Sequence, residues 1–445
     1  MKTKKGDRIF HTKYGAGLVL GIRFGGYRTL IQFDNGLSCS VNTDEIEVSE
    51  IHNETSDPIS TVANSHSYKT AIESLRLGIV PNLSINEWTF GRDHEISQIS
   101  TWLQDESSGS LVIEGAYGSG KSHLLNYIYH YALKNNFIVS LSSINPLSSP
   151  ISFPKKIYRN IMDNLAYKTP WGYGNVYDLI FTIINSGSYK QLEDHKILGT
   201  VFSLFHETKH IDLLLDYLTG KDIKRRNLQK ENIDLPMLPD HTTAANVYCY
   251  LLSGISWLAV KLLGYNGFLI LLDEMEMAKT YRYYYEWERG TNFLEGLSLV
   301  ASDEDGVTDE RIIKKGNVKR GTITNLIYSG FTPLPYAYIE PSFLKIIVGI
   351  TPSFLPYFAG FKYDKHIKID NLDETVIEKV FFKVLQSYDE LYGVRLNYDE
   401  KLWLQNFMSH QTFDSTRRKI KTVIEALDFK RYYPTRSLTE LGEYA

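Results

Sequence analysis

Apolar and polar positions change rhythm twice along the chain. At the start, Arg8-Ile9-Phe10-His11, Ala16 to Arg23, Arg28 to Phe33 and Ser38 to Val41 form short β-prone runs, separated by Gly15-Ala16-Gly17, Gly25-Gly26 and Asp34-Asn35-Gly36. Asn and Gly both tolerate positive φ, so Asn35-Gly36 between two such runs signals a hairpin. The pattern predicts a small all-β barrel over residues 1–50. Residues 51–67 then turn polar and aperiodic and read as a linker.

From Tyr68 the rhythm alternates between strand and helix. Leu111-Val112-Ile113-Glu114 is a short apolar strand, and Ser122 to Leu133 has helical spacing at Leu124, Leu125, Ile128 and Tyr129. Phe137 to Leu141 predicts a second strand and Pro154 to Leu165 a helix. Residues 170–262 hold helical periods, such as His210 to Leu218 and Ala244 to Leu263, and no convincing strand, so they read as a helical insertion. Strands return at Phe268 to Leu272, Leu344 to Ile350 and His366 to Ile369. Strands spaced by helices predict an α/β fold with a parallel sheet, here a core over residues 68–370. The tail, 371–445, predicts a helical lid with helices at Glu374 to Tyr388, Asp399 to Met408 and Ser415 to Phe429.

A chain of 445 residues with 43% hydrophobic content can build two or three packed units without staples. Cys39 and Cys249 fit no metal or disulfide spacing, which suits a reducing cytoplasm. No apolar run reaches about 18 residues, so no membrane association is expected, and the first residues have no apolar stretch of the signal-peptide kind. The net charge of -4 makes no global case for nucleic acid, but residues 1–30 carry Lys2, Lys4, Lys5, Arg8, Lys13, Arg23 and Arg28 against Asp7 alone.

The sharpest chemical signal is Gly115-Ala116-Tyr117-Gly118-Ser119-Gly120-Lys121-Ser122, followed by His123. It matches the P-loop pattern and sits between an apolar strand and a helix, where the mechanism needs it. Glycines let the loop curl so that backbone N–H groups point inward, and the helix N-terminus adds partial positive charge to the same anion site. Lys121 is expected to contact the β- and γ-phosphates of ATP, and Ser122 to hold Mg²⁺. The expected architecture is therefore a P-loop NTPase core.

Hydrolysis also needs acids. Phe268-Leu269-Ile270-Leu271-Leu272-Asp273-Glu274 ends an apolar strand in two of them. Asp273 is the candidate Mg²⁺ partner, and Glu274 the group that orients or deprotonates the attacking water. Glu276 is either a further acid or a helix-start residue. Thr351, after the strand Leu344 to Ile350, is a candidate γ-phosphate or water contact, with a helix N-cap as the alternative. Arg92 lies before the first core helix, suited to the nucleotide or to a surface salt bridge. Arg417, Arg418 and Lys419 follow N-cap-type residues, where bases oppose the helix dipole. Arg417 is the candidate lid arginine; a DNA-facing patch is the other account of these bases.

A larger ordered set includes Ala71-Ile72-Glu73-Ser74-Leu75-Arg76-Leu77-Gly78, Phe90-Gly91-Arg92-Asp93, the loop at Gly115–Ser122, Asp273-Glu274-Met275-Glu276, Ile350-Thr351-Pro352, and Thr416-Arg417 with Ala426-Leu427-Asp428. Across Ala71 to about Phe429 the chain resembles the ATP-binding proteins of the bacteriophage-exclusion (BREX) type, AAA+-like P-loop ATPases also found in related antiphage systems such as Shango. The resemblance implies Walker A at Gly115–Ser122, Walker B at Asp273 and Glu274, a sensor at Thr351, a lid arginine at Arg417, and a role in phage defence alongside a helicase. Arg282 and Arg289 are both open as arginine fingers. Separately, Gly6-Asp7-Arg8-Ile9-Phe10-His11-Thr12-Lys13-Tyr14-Gly15-Ala16-Gly17-Leu18-Val19 resembles the Tudor/SH3-like domain of UvrD-type helicases and CarD-type transcription factors. Lys13, Arg23 and Arg28 can then meet DNA phosphates, or the barrel can dock protein.

Two function classes follow. One is a Mg²⁺-dependent ATPase working with DNA and a helicase or nuclease partner, in a form open to homo-oligomerisation. The other is a nucleotide-gated switch that recruits or restrains a partner with little turnover; a tenfold affinity change needs only about 1.4 kcal/mol of coupling.

Overall fold

The computed structural model describes residues 4, 7–11, 15–23, 28–33, 38–43, 46–48, 59–107, 109–170, 172–207, 210–280, 284–358, 360–410 and 415–443. Lys13, the Asn35-Gly36 turn, Arg282 and Asp414 lie outside the described residues. The chain divides into two compact units. One comprises Met1–His52, Leu103–Val112 and Tyr129–His366, the other Asn53–Trp102, Ile113–Ile128 and Ile367–Ala445.

In the first unit, β1 (Arg8–His11), β2 (Gly15–Arg23), β3 (Arg28–Phe33), β4 (Ser38–Asn42) and β5 (Ile46–Val48) pair antiparallel in the order β4-β3-β2-β1-β5. Ile9, Val19, Ile31, Phe33 and Val41 form their own small core. Next come β6 (Ser110–Gly115), β7 (Ile138–Ser143), β8 (Leu165–Thr169), β9 (Gly172–Asn175) and β10 (Phe268–Asp273). A three-stranded antiparallel sheet, β11 (Ile312–Lys315), β12 (Val318–Gly321) and β13 (Ile327–Tyr328), precedes β14 (Leu344–Ile350) and β15 (Lys365–Ile369).

β10 is parallel to both β14 and β7, with Phe268 level with Leu344 and with Ile138. Every residue of β10 and β14 is buried, Asp273 and Lys345 included, as strands with both faces covered should be. The Ile346 N–H donates to Gly109 O (2.8 Å), which starts β6 beside β14; the Asp364 N–H donates to Ser110 O (2.9 Å), which starts β15 beside β6. Seven strands thus lie in the order β15-β6-β14-β10-β7-β8-β9, a mixed, mostly parallel sheet compatible with a P-loop NTPase.

Two expectations need correction. The segment read as wholly helical opens with β9, which with β8 extends the sheet as an antiparallel hairpin. Four residues with two glycines, Gly172-Tyr173-Gly174-Asn175, carry no periodicity to read; Gly174 is required because a Cβ there would stand 2.6 Å from the Tyr167 ring. Helices then follow at Val176–Ser186, Leu198–Glu207, Ile211–Leu218, Arg225–Lys230 and Ala245–Lys261. Second, the helix Ile59–Arg76 begins inside the expected linker. Pro58 just ahead of it suits a helix start, and its polar composition conceals the period.

In the second unit the helix Ile59–Arg76 packs with the tail helices Glu374–Tyr392, Tyr398–His410 and Thr416–Tyr432 around Ile72, Trp88, Phe381, Val384, Tyr388, Ile424 and Leu427. Two stretches far apart in the chain meet here. Arg76 donates from Nε to Asp428 Oδ2 (2.8 Å) and from Nη2 to Asp428 Oδ1 (2.7 Å), and Tyr388 Oη donates to the same Oδ1 (2.6 Å). Arg76 also pairs with Glu73, and these two carboxylates push its guanidinium further toward the charged form. Asp428→Ala leaves one guanidinium edge and one hydroxyl without their acceptor, so we expect it to lower unfolding stability by about 2 kcal/mol. Denaturant titration reads this; a change below about 0.5 kcal/mol would make the cluster ordinary surface decoration.

Candidate functional site

The second unit carries the loop. β6 is buried throughout and delivers Gly115 to the loop; the helix Lys121–Lys134 begins six residues later. Gly115 has no room for a side chain: a Cβ would lie 2.5 Å from Ser119 Oγ and 2.6 Å from Ile369 Cγ1. Gly118 and Gly120 hold φ of 82° and 101°, the left-handed region that favours glycine. A Cβ on Gly118 would sit 2.4 Å from Ser415 Cβ, whereas in front of Gly120 the nearest atom is Arg92 Nη2 at 3.9 Å. Lys121 is buried, and its Nζ donates to Gly115 O (2.8 Å) and Ala116 O (3.2 Å). Ser119 is buried with its Oγ unpartnered. An ammonium held by carbonyls of its own loop, beside a glycine cradle at a helix start, fits a polyphosphate.

Arg92 is buried. It donates from Nη1 to Glu95 Oε1 (2.9 Å) and from Nη2 to Ser119 O (2.8 Å) and Asp370 O (2.5 Å). It thus ties the loop to Glu95 and to Asp370, and its ion pair is largely buried and not on the surface. Tyr117 is 75% exposed on the loop, and Arg417 lies over its ring at 5.5 Å, with Nη1 donating to Tyr117 Oη (3.2 Å). Ser415 caps the helix Thr416–Tyr432, and Lys419 pairs with Glu374 (2.5 Å). Two of the three bases at this helix start therefore have partners within the unit.

His123 follows Ser122. Thr89 Oγ1 donates to Ile85 O (2.7 Å), so toward His123 Nε2 (2.9 Å) it offers a lone pair and the ring carries its proton on Nε2. Burial, with the Arg92 charge adding to it, pushes the His123 pKa down to about 4. A base depressed on folding takes up its proton first in the unfolded chain, so stability is complete above about pH 6.5 and is lost as pH falls toward 4. Thermal unfolding of the parent and of His123→Asn across that window should show the variant with a flatter acid limb; parallel curves would remove His123 from the account.

In the first unit, β10 ends on Asp273, level with Ser143. Asp273 is buried; its Oδ1 accepts the Glu274 N–H (2.9 Å) and its carbonyl accepts the Ile144 N–H (3.1 Å). Glu274 is exposed and holds φ at 58°. A non-glycine residue in that region costs roughly 1–2 kcal/mol and recurs at functional sites. Glu276 lies in the first turn of a 3-10 helix, Met275–Thr280, with Oε2 buried and unpartnered. Thr351 caps no α-helix: a turn follows, in which the Phe354 N–H donates to Thr351 O (2.9 Å) and Thr351 Oγ1 meets Ser353 Oγ (3.2 Å). Arg289 donates to Thr242 Oγ1 (2.6 Å) and lies over the Tyr285 ring. Arg23 and Arg28 close the β2–β3 pairing as opposite residues.

These placements can be set beside known proteins. Residues 64–191 match the family model of the BREX system ATP-binding protein BrxC/D. The recognised family is thereby borne out over that stretch. No curated protein matches the chain. The BrxC/D match takes in Arg92, the loop and His123; Asp273, Glu274, Thr351 and Arg417 lie beyond it. Among the described residues no helix is long and apolar enough to cross a membrane, and no group of three or more His, Cys, Asp or Glu is placed to hold a metal ion. Sequence reasoning gives no part to Ser415 against Gly118 or to Thr89 on His123; the N-cap residue ahead of Thr416 is the one local signal for the first.

Proposed function

We propose that the chain binds ATP with Mg²⁺ at the Gly115–Ser122 loop and hydrolyses it in antiphage defence, acting with DNA and a helicase or nuclease partner. Its support is the loop itself: a buried lysine and a glycine cradle, inside a stretch that matches an ATP-binding BREX family. Lys121 would offset phosphate charge there, Ser122 and Asp273 would be Mg²⁺ contacts, and Thr351 and Arg417 polar contacts to the reacting end. Bound ATP would bring the phosphoanhydride to be cleaved, and its oxygens would complete the ligand set that Mg²⁺ does not obtain from one or two protein groups. Glu274 would take the proton of the attacking water. The AAA+-like lid and the DNA- or protein-binding barrel at residues 1–50 belong to the same proposal. The contact between Arg417 and Tyr117 favours a second reading, in which nucleotide binding resets a lid side chain that rests on the loop and so gates a partner.

Phosphate release from ATP by the full chain, with and without Mg²⁺, tests the first reading. Mg²⁺-dependent turnover supports it, and release that is the same in Lys121→Ala and Glu274→Gln would sink the site.

A further inference from the structure

Between the helix Tyr284–Ala301 and β14 the chain builds a β-ribbon, β11 and β12, turned at Gly316 with φ 59°. Residues 311–320 carry Arg311, Lys314, Lys315, Lys319 and Arg320 with no acid among them. The register sets Lys314 directly opposite Lys319, and like charges facing across a ladder destabilise it. Arg320 is tied inward, to Glu288 (2.5 Å) and Asn325 O (2.8 Å). Among the described residues these lysines pair with no carboxylate: Lys315 Nζ donates to Asn325 Oδ1 (3.1 Å) and Lys319 Nζ to Gly330 O (3.1 Å), both uncharged acceptors. Of the acids just upstream, Glu310 holds the Ile323 and Thr324 N–H groups and the Tyr328 hydroxyl, Glu304 pairs with Lys362, and Asp303 accepts the Ser342 N–H; Asp305 and Asp309 stay exposed.

Gly330, whose carbonyl Lys319 meets, directly precedes Phe331, which is 90% exposed, and Ile323 beyond the ribbon is 61% exposed. A repulsive lysine pair and an aromatic ring left mostly to solvent, with the His241 ring 6.0 Å from its centre, both cost the fold something, and one kind of ligand offsets both. A single nucleic-acid strand offers phosphates to lysines and the face of an unpaired base to an aromatic ring. We propose that the ribbon Ile312–Gly321, with Phe331, is a contact surface for single-stranded nucleic acid. It uses neither the nucleotide loop nor the opening strands.

Fluorescence anisotropy with a labelled thymidine oligonucleotide, read on the full chain across a salt series, tests this. Lys314→Ala, Lys315→Ala and Lys319→Ala together should weaken binding at least about tenfold and reduce the slope of log affinity against log salt by about 2, since each single-strand phosphate contact contributes about 0.7. Phe331→Ala should weaken binding about tenfold and leave that slope in place. Binding equal to the parent in both variants overturns the proposal. A lysine effect without a Phe331 effect overturns the single-strand assignment in favour of a general polyanion surface. ATP affinity measured on the same samples keeps failure here distinct from failure of the nucleotide site, because all four side chains are exposed and remote in sequence from the loop.

Discussion

Lys121→Ala should weaken ATP binding by about a hundredfold or more and abolish turnover. A charge-assisted hydrogen bond is worth about 1.5–3 kcal/mol, and every 1.4 kcal/mol is tenfold in affinity. Lys121 is buried, so its charge acts with little screening, and its ammonium donates to two carbonyls of the loop that it serves. Removing it also leaves Gly115 O and Ala116 O without that donor, and thermal unfolding of the nucleotide-free protein should fall slightly. Calorimetric titration with ATP reads the main effect. Affinity within about threefold of the parent would remove the loop from nucleotide binding.

Glu274→Gln should separate binding from chemistry: turnover is expected to fall about a hundredfold or more, the usual size of a lost general base, with ATP affinity kept. The side chain keeps its shape and loses its negative charge and, with it, its basicity. A second substitution tests the backbone. Because Glu274 holds φ at 58°, Glu274→Gly should stabilise the protein by roughly 1 kcal/mol while losing the same activity. If Glu274→Gln turns over ATP like the parent, hydrolysis does not pass through this residue. If it instead holds a partner-bound complex that Lys121→Ala cannot form, the switch reading gains over the motor.

Much of the fold and of the candidate site is legible in the amino-acid sequence. β10 is apolar from Phe268 to Leu272 before Asp273, and β14 is apolar from Ile346 to Val348 with Leu344 and Ile350 at its ends, as strands covered on both faces require. The tail helices carry their period and, at Ser415, a capping residue. The short hairpin β8–β9 and the ribbon β11–β12 are not legible, because four- and five-residue strands rich in glycine or lysine have no apolar alternation to detect.

The amino-acid sequence by itself determined the glycine loop at residues 115–122, the acids ending β10 and the α/β class of the sheet, since each depends on neighbours within about ten positions: glycines for curvature, an apolar run for burial, a carboxylate at the strand end. Tertiary structure alone decided what those residues touch. Arg92 braces Ser119 and Asp370, Arg76 finds Asp428 across 352 positions, and Ser415 rests where only a glycine at position 118 can face it. Such pairs are chosen by packing of distant segments, and packing leaves no periodic trace in the chain.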